Sequence, residues 1–145
     1  MKVNITRALS TVLQADNLNE PVLIEKFEEW KCGDEYGSYL FGKDSAYSRP
    51  KVDGKLHLRH VHLPPLIDKV QLERWNKQWK RRGRKTSDRV LIYVQDQQDN
   101  YLLIFILPEP EAHAIAQMQT AEDKLLMENF ATVAAEFLET GNIIV

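Results

Sequence analysis

His60 and His62 are the residues whose type and spacing point most directly to chemistry. They lie in the segment LHLRHVHL, residues 56–63, which predicts a β-strand ended by Pro64 and Pro65. Side chains two positions apart on a strand share a face, so we expect the two imidazoles to lie side by side. Such a pair can act as proton donor and acceptor near neutral pH.

The same spacing leaves two other interpretations open. With Asp44 as a third ligand, His60 and His62 could hold a metal ion, but a bare H-x-H pattern is weak evidence for one. Alternatively, one or both are ordinary hydrogen-bonded histidines of the surface or core. We predict neither a metal nor any other cofactor.

Lys43 and Asp44 are the next candidates, because they precede the histidine strand in the segment FGKDSAY, residues 41–47. This segment belongs to a long glycine-containing connection, residues 33–55, and connections of that length in small domains often serve function. A loop lysine can stabilise a phosphate, and a loop aspartate can orient a histidine. An ordinary turn, in which Asp44 binds backbone amides, explains the pair equally well.

Positive charge is concentrated in one segment, residues 74–89. This segment holds eight of the 19 basic residues and one of the 21 acidic ones, which leaves 11 basic against 20 acidic residues elsewhere. Such a patch on an acidic body indicates a polyanionic partner, and we favour nucleic acid. Trp75 and Trp79 could stack on bases, but we expect both to lie in the core. The predicted RNA-binding residues are Lys77, Lys80, Arg81, Arg82, Arg84 and Lys85.

These residues need a scaffold, and its centre is a predicted hairpin. Two apolar runs, Val90–Val94 and Tyr101–Leu107, flank the polar insert QDQQDN, residues 95–100. Neither run alternates apolar with polar residues, so both faces of the hairpin should be covered. Residues 1–6 predict a short edge strand, residues 7–17 are ambiguous, and the apolar tail 143–145 is a possible strand or contact surface.

Helices are predicted on both sides of this hairpin in the chain. The first begins at the N-cap Asn19 and ends at Gly33. Another covers part of a basic insert at about residues 66–88. Two more, 111–119 and 121–140, follow the hairpin, the second with Thr120 as N-cap and Gly141 at its end. This order predicts a single α+β domain over residues 1–145, with a small antiparallel sheet and helices mainly on one face.

Composition excludes several classes of protein. The chain is 43% hydrophobic and 28% charged, which is typical of a globular domain. The single cysteine, Cys32, excludes an internal disulfide, and no apolar run or signal-peptide pattern indicates a membrane or secreted protein, so we expect the cytoplasm. No Walker loop, dinucleotide fingerprint, H-E-x-x-H or G-x-S-x-G pattern is present.

Four segments in register resemble the YafO family of toxins from bacterial type II toxin–antitoxin modules. They are FGKDSAY, RHVHLPP, SDRVLIYVQ and YLLIFILPEPEAHAIA, and the resemblance covers about residues 39–118. It implies a RelE/ParE-like architecture and a ribosome-dependent mRNA interferase, an endoribonuclease that cuts translated mRNA and so inhibits translation. It also implies a cognate antitoxin as partner, as a hetero-oligomer, with a homodimer also possible.

The resemblance carries polar residues over position by position. The matched residues are Lys43, Asp44, Tyr47, His60, His62 and His113, of which the first five are our catalytic candidates. We expect metal-independent cleavage with His60 or His62 as general base or acid, and with Lys43 or an arginine of the basic segment stabilising the phosphorane. Two alternatives remain: a non-enzymatic protein that binds RNA or another partner, and a gyrase-targeting toxin on the same scaffold.

Overall fold

The predicted hairpin forms the centre of the molecule. The structure is a computed structural model that describes residues 1–33, 37–80 and 84–145. Strands β6 (Val90–Gln95) and β7 (Asn100–Leu107) pair antiparallel, as predicted. Asp96 shapes the turn between them, because one carboxylate oxygen accepts the backbone N–H groups of Gln98 and Asn100, each at 2.8 Å.

Three further strands extend the hairpin into a sheet, and two more form a separate ribbon. The sheet has the order β1-β7-β6-β5-β2, in which β1 is parallel to β7 and the other neighbours are antiparallel. The remaining strand bounds are β1 (Lys2–Ile5), β2 (Asp44–Ala46), β3 (Lys51–Val52), β4 (Lys55–Leu56) and β5 (Arg59–His62). The strand predicted over residues 56–63 is shorter and begins at Arg59. The connection predicted over 33–55 contains β2, β3 and the first residue of β4.

Across the described residues the chain forms five helices. They are α1 (Arg7–Ala15), α2 (Glu20–Cys32), α3 (Lys69–Lys80), α4 (Ala112–Ala116) and α5 (Ala121–Thr140). The predicted caps are confirmed at Asn19, whose side chain accepts from Val22 N, and at Thr120, whose hydroxyl accepts from Asp123 N. Gly141 ends α5 in the left-handed conformation, with φ of 78°. Within these residues, no helix combines the length and apolar character that crossing a bilayer requires.

Both faces of the sheet are covered by helices. Val90, Ile92 and Val94 of β6 pack in one core with residues of α4 and α5, and we call this side the α5 face. Leu91 and Tyr93 point the other way into a second core with α1 and α2, which we call the α2 face. This alternation explains why neither hairpin run shows polar positions.

The α+β class is confirmed, and two details differ from the prediction. The sheet is mixed rather than antiparallel, because β1 joins the edge parallel to β7. Helices pack on both faces rather than mainly on one, because α1 forms within the ambiguous residues 7–17 and places Leu9 and Leu13 in the second core beside α2.

Helix α3 packs against the connection that leads into β2. Trp75 is buried, as predicted, and its indole N–H donates to the carbonyl of Tyr39 at 2.9 Å. Trp79, expected in the core, is instead 38% exposed and packs edge-on against the Tyr39 ring. Gly42 lies where this connection, the indole of Trp75 and the backbone of Lys85 meet. A Cβ at Gly42 would lie 2.2 Å from the Lys85 carbonyl oxygen and 2.8 Å from the Trp75 ring.

We therefore expect Gly42→Ala to lower the free energy of unfolding by about 2 kcal/mol, because the added methyl group overlaps backbone that has no room to move. Chemical denaturation followed by circular dichroism measures this loss. Gly54→Ala is the matched control: its Cβ meets nothing within 4 Å, but its φ is +75°. It should cost only about 1 kcal/mol, from backbone strain. Equal losses for the two variants would contradict the steric explanation.

Candidate functional site

Strand β5 places both histidines on the α5 face, as predicted. His60 and His62 pair with Ile92 and Val90 of β6, which lie in the α5-face core. Val61, between them, is buried on the α2 face. The two imidazole rings meet edge-on with centroids 5.7 Å apart. The pair is close enough for the charge of His62 to lower the pKa of His60.

His60 packs against an aromatic ring and lies near a hydroxyl group. Its ring stacks on Tyr47 at 3.8 Å with an interplanar angle of 10°, and its Nε2 lies 3.5 Å from the Ser45 hydroxyl. Its Nδ1 is buried and has no hydrogen-bond partner among the described residues. Burial, followed by the charge of His62, lowers the pKa of His60 from 6.5 to about 4. His60 is therefore neutral at physiological pH.

His62 is held by the backbone of the segment that enters β6. Its Nδ1 lies 2.6 Å from the carbonyl oxygen of Ser87 and 3.1 Å from the Ser87 amide nitrogen. The shorter contact favours the tautomer in which Nδ1–H donates to the carbonyl, which leaves a lone pair on Nε2. Burial lowers the pKa of His62, and the Ser87 carbonyl partly opposes that shift. A neutral, oriented imidazole of this kind can accept a proton.

A pocket of about 390 Å³ opens beside the two histidines. Its walls come from β5, the segment before β6, and helices α3 and α4. The polar lining residues are Tyr47, His60, His62, Gln71, Arg74, Thr86, Ser87, Asp88 and His113. The pocket thus combines three imidazoles with a guanidinium, a carboxylate and a phenol.

Asp88 belongs to this site although sequence reasoning did not select it. Its carboxylate accepts the backbone N–H of His113 at 2.7 Å, and its own N–H donates to the side-chain oxygen of Gln71 at 3.2 Å. Asp88 therefore joins the start of α4 to α3 across the pocket. Its negative charge also favours the protonated form of His62 and, after burial, helps to raise the pKa of Tyr47. Tyr47 consequently stays protonated and can donate a hydrogen bond.

Arg74 and His113 line the same pocket from two different helices. Arg74 is exposed on α3, one turn after Gln71, and belongs to the basic segment without having been selected as an RNA ligand. His113 is exposed on α4, and its Nε2 lies 2.8 Å from the side-chain nitrogen of Gln117. The sequence resemblance matched His113, and the structure places it beside the two strand histidines.

Lys43 lies next to the histidines on the α5 face. It precedes β2, and its carbonyl accepts the backbone N–H of His62 at 3.0 Å. Its exposed side chain contributes positive charge that lowers the pKa of both His60 and His62. Lys43 is therefore close enough to act on an anion at the mouth of the pocket.

The prediction that Asp44 acts with the histidines is corrected by the sheet register. Asp44 pairs with Val61, so its side chain points to the α2 face, away from His60 and His62. There its carboxylate accepts from the Tyr93 hydroxyl at 2.6 Å and contacts Lys31 and Arg59, each at 3.3 Å. Asp44 is thus part of a buried polar network. It is also on the wrong side of the sheet to complete a metal site with the histidines.

The basic segment divides into buried and exposed residues. Lys85 is only 1% exposed, and its ammonium binds the carbonyl of Ser38 and lies 5.4 Å from the centroid of the Trp75 ring. This burial removes Lys85 from the predicted RNA-binding set. Arg89 is also buried and donates to the Pro64 carbonyl at 3.1 Å. Lys77, Lys80 and Arg84 are exposed, whereas Arg81 and Arg82 lie outside the described residues.

Metal ligands do not converge in the part of the chain that the structure describes. No group of three or more His, Cys, Asp or Glu side chains there could hold an ion.

Comparison with known proteins identifies a family. The model of the family described as toxin YafO of type II toxin–antitoxin systems matches residues 28–139, well over half of the chain. This match confirms the resemblance seen in the sequence and includes every residue of the pocket. Searches of curated proteins and of solved structures found no match. The kinship with RelE/ParE architecture therefore stays a prediction.

The low pKa of His60 predicts a pH-dependent stability. In the unfolded chain His60 binds a proton near pH 6.5, whereas in the folded chain it does so near pH 4. Between these values the unfolded state binds more protons, so acidification lowers the free energy of unfolding, on the order of 2 kcal/mol after allowance for solvent access. His60→Phe keeps an aromatic ring against Tyr47 but cannot titrate. Chemical denaturation at pH 7 and pH 4.5 measures how much the free energy of unfolding decreases on acidification. This decrease should be smaller in the variant than in the parent chain, and an equal decrease would contradict the pKa assigned to His60.

Proposed function

The chain belongs to the YafO family of toxins from type II toxin–antitoxin systems, and from this premise we propose that it is a ribosome-dependent mRNA interferase. In this proposal the toxin cleaves mRNA by a metal-independent mechanism and so inhibits translation. A substrate held by the ribosome places the action of the toxin in the cytoplasm.

The observation that carries this proposal is the arrangement of His62. The bond from Nδ1–H to the Ser87 carbonyl orients the ring, and the lowered pKa keeps Nε2 unprotonated at neutral pH. Among the described residues Nε2 has no hydrogen-bond partner within the protein. A general base needs this combination of a defined tautomer, an accessible lone pair and the correct protonation state.

The reaction that fits this site is attack of the 2′-hydroxyl of RNA on the adjacent phosphate. Nε2 of His62 accepts the proton of the 2′-hydroxyl while its oxygen forms a bond to phosphorus. The bond from phosphorus to the 5′ oxygen of the next nucleotide then breaks, and that oxygen takes up a proton. The products are a 2′,3′-cyclic phosphate and a free 5′-hydroxyl, so no water is consumed in the cleavage step.

Other residues of the site supply the proton and the positive charge. His113 lines the same pocket and is exposed to water, which suits it to protonate the leaving 5′ oxygen. Arg74 can donate two parallel hydrogen bonds to the phosphate as negative charge accumulates on its oxygens. Lys43 adds positive charge from the β2 side, and the Tyr47 hydroxyl is a further donor.

His60 has a positioning role in this mechanism. With a pKa of about 4 it is neutral, so it cannot serve as a proton donor at physiological pH. Its ring lies between Tyr47 and His62 and fixes the distance between them. The sequence pattern does not distinguish the two strand histidines, whereas their environments support distinct roles.

We expect His62→Gln to reduce the rate of mRNA cleavage by about 10²–10⁴-fold, because the general base is lost. Primer extension on mRNA in a translating extract measures cleavage, and the same assay without ribosomes tests the ribosome dependence. His57→Gln is the matched control, since His57 lies outside the pocket lining. Normal cleavage by His62→Gln would overturn the assignment of the base.

Tight RNA binding without cleavage by the parent chain would favour a non-enzymatic binder, and DNA breaks without loss of mRNA would favour a gyrase-targeting toxin.

The lowered pKa of His62 also predicts the pH dependence of cleavage. The neutral base is required, so on the acid side of the pH profile the rate should begin to fall only below pH 6.5, the ordinary pKa of histidine. Single-turnover cleavage of ribosome-bound mRNA between pH 5.5 and about 8, with ribosome integrity checked at each pH, measures this profile. A rate that already falls between pH 7.5 and 6.5 would show that another group limits the reaction.

A further inference from the structure

An exposed apolar surface lies at the start of α3, next to the pocket. It consists of Leu66, Ile67 and Val70, whose side chains are 64%, 79% and 68% exposed. Isolated apolar residues at a surface are common, but three in one turn form a contiguous patch. We call these three residues the apolar turn.

The backbone of the apolar turn is held in place. The carboxylate of Glu109 accepts the backbone N–H groups of Leu66, of Ile67 at 2.7 Å and of Asp68 at 3.3 Å. Asp68 in turn accepts the N–H groups of Val70 and Gln71, each at 3.1 Å, as an N-cap. The apolar side chains are therefore presented on an ordered backbone, and a partner that binds them has little backbone entropy to remove.

Positive charge continues from the apolar turn along the exposed side of α3. Val70, Arg74 and Lys77 follow one another at spacings of four and three residues, so they lie along one side of the helix. In the ranges that the structure describes, no acidic side chain forms an ion pair with Arg74 or Lys77. Arg74 also lines the pocket. The surface thus runs from aliphatic to cationic residues and passes the opening of the pocket.

We propose that this surface is the docking site of the cognate antitoxin. The matching antitoxin segment carries aliphatic residues that cover the apolar turn, followed by acidic residues that pair with Arg74 and Lys77. Bound in this way it closes the pocket and neutralises the phosphate-binding charge of Arg74. The existence of an antitoxin follows from the family, and the inhibitory consequence rests on the proposed function of the pocket.

The chemistry of the surface favours a protein over RNA as its occupant. Bases bind by stacking on aromatic side chains, whereas Leu66, Ile67 and Val70 offer aliphatic groups. Aliphatic patches beside charged residues are typical of protein interfaces.

A second copy of this chain fits the surface poorly. In a symmetric dimer the same patch faces itself, so Arg74 and Lys77 of one copy would approach those of the other. An acidic segment of another protein avoids this repulsion and gains favourable pairing.

The test measures binding between the purified antitoxin encoded beside this toxin and the full toxin chain. The toxin carries His62→Gln in every sample so that it can be produced, and calorimetry or fluorescence anisotropy gives the Kd. Ile67→Ser combined with Val70→Gln removes the apolar contacts without adding charge. We expect this pair of changes to weaken binding by about tenfold or more.

Two further variants complete the test: one controls for the loss of an exposed aliphatic residue elsewhere on the surface, and the other tests the contribution of charge. Leu138→Gln changes an aliphatic residue that is 36% exposed on α5, near the β6–β7 turn and far from the pocket. It should leave the Kd unchanged. Lys77→Glu should weaken binding and reduce its dependence on salt, because it reverses one charge of the cationic side.

The outcomes separate this inference from the proposed catalytic function. With His62 restored, the Ile67→Ser, Val70→Gln chain should still cleave mRNA but escape neutralisation by the antitoxin. An unchanged Kd would overturn the docking site even if cleavage depends on His62 as proposed. Unchanged antitoxin binding with loss of ribosome binding would assign the surface to the ribosome, and a changed oligomeric state would assign it to a second copy. Active His62→Gln toxin would overturn the catalytic proposal and leave the Kd comparison intact.

Discussion

The close contact between the segment before β6 and the edge of the sheet is the constraint on which the site depends. The Lys85 carbonyl accepts the backbone N–H of Lys43 at 2.8 Å, and the absence of a side chain at Gly42 makes that approach possible. Two residues later, the Ser87 carbonyl orients His62, and Asp88 then connects α3 to α4. Gly42, which does not line the pocket, therefore helps to determine where His62 and Asp88 lie.

The pairing of β2 with β5 separates chemistry from structural support. Successive side chains on a strand point to opposite faces, so Ser45 and His60 lie on the α5 face, whereas Asp44 faces Tyr93 and Arg59. The imidazoles on one face of β5 and the Asp44 carboxylate on the other face thus have different environments. On the α5 face imidazoles line an open pocket, and on the α2 face a carboxylate is held by Tyr93, Lys31 and the partly exposed Arg59. A shift of one residue in the register would exchange these environments.

The sequence predicted those features that depend on local pattern. The hairpin, the caps at Asn19 and Thr120 and the shared face of His60 and His62 follow from periodicity and residue type, and the structure confirms them. Features that depend on strand register or on long-range packing could not be predicted from the sequence. The side of the sheet reached by Asp44 requires the β2–β5 register, and the burial of Lys85 requires the position of Ser38. Asp88 was not predicted as a site residue, although a single acidic residue in an otherwise basic segment is a pattern that could have indicated a specific role.

Burial of the histidines links the proposed activity of the site to the stability of the fold. Removing an imidazole from water lowers its pKa, so it remains a neutral base at physiological pH, but the same burial disfavours the folded state once acid protonates the unfolded chain. Asp88 and the Ser87 carbonyl limit this effect at His62, because both favour its protonated form. His60 has the neighbouring charges of His62, Lys43 and Arg59 against it, and only Asp44, from the other face, opposes them. The residue that receives a proton in the proposed reaction is therefore the one whose surroundings best tolerate it, which supports His62 over His60 as the base.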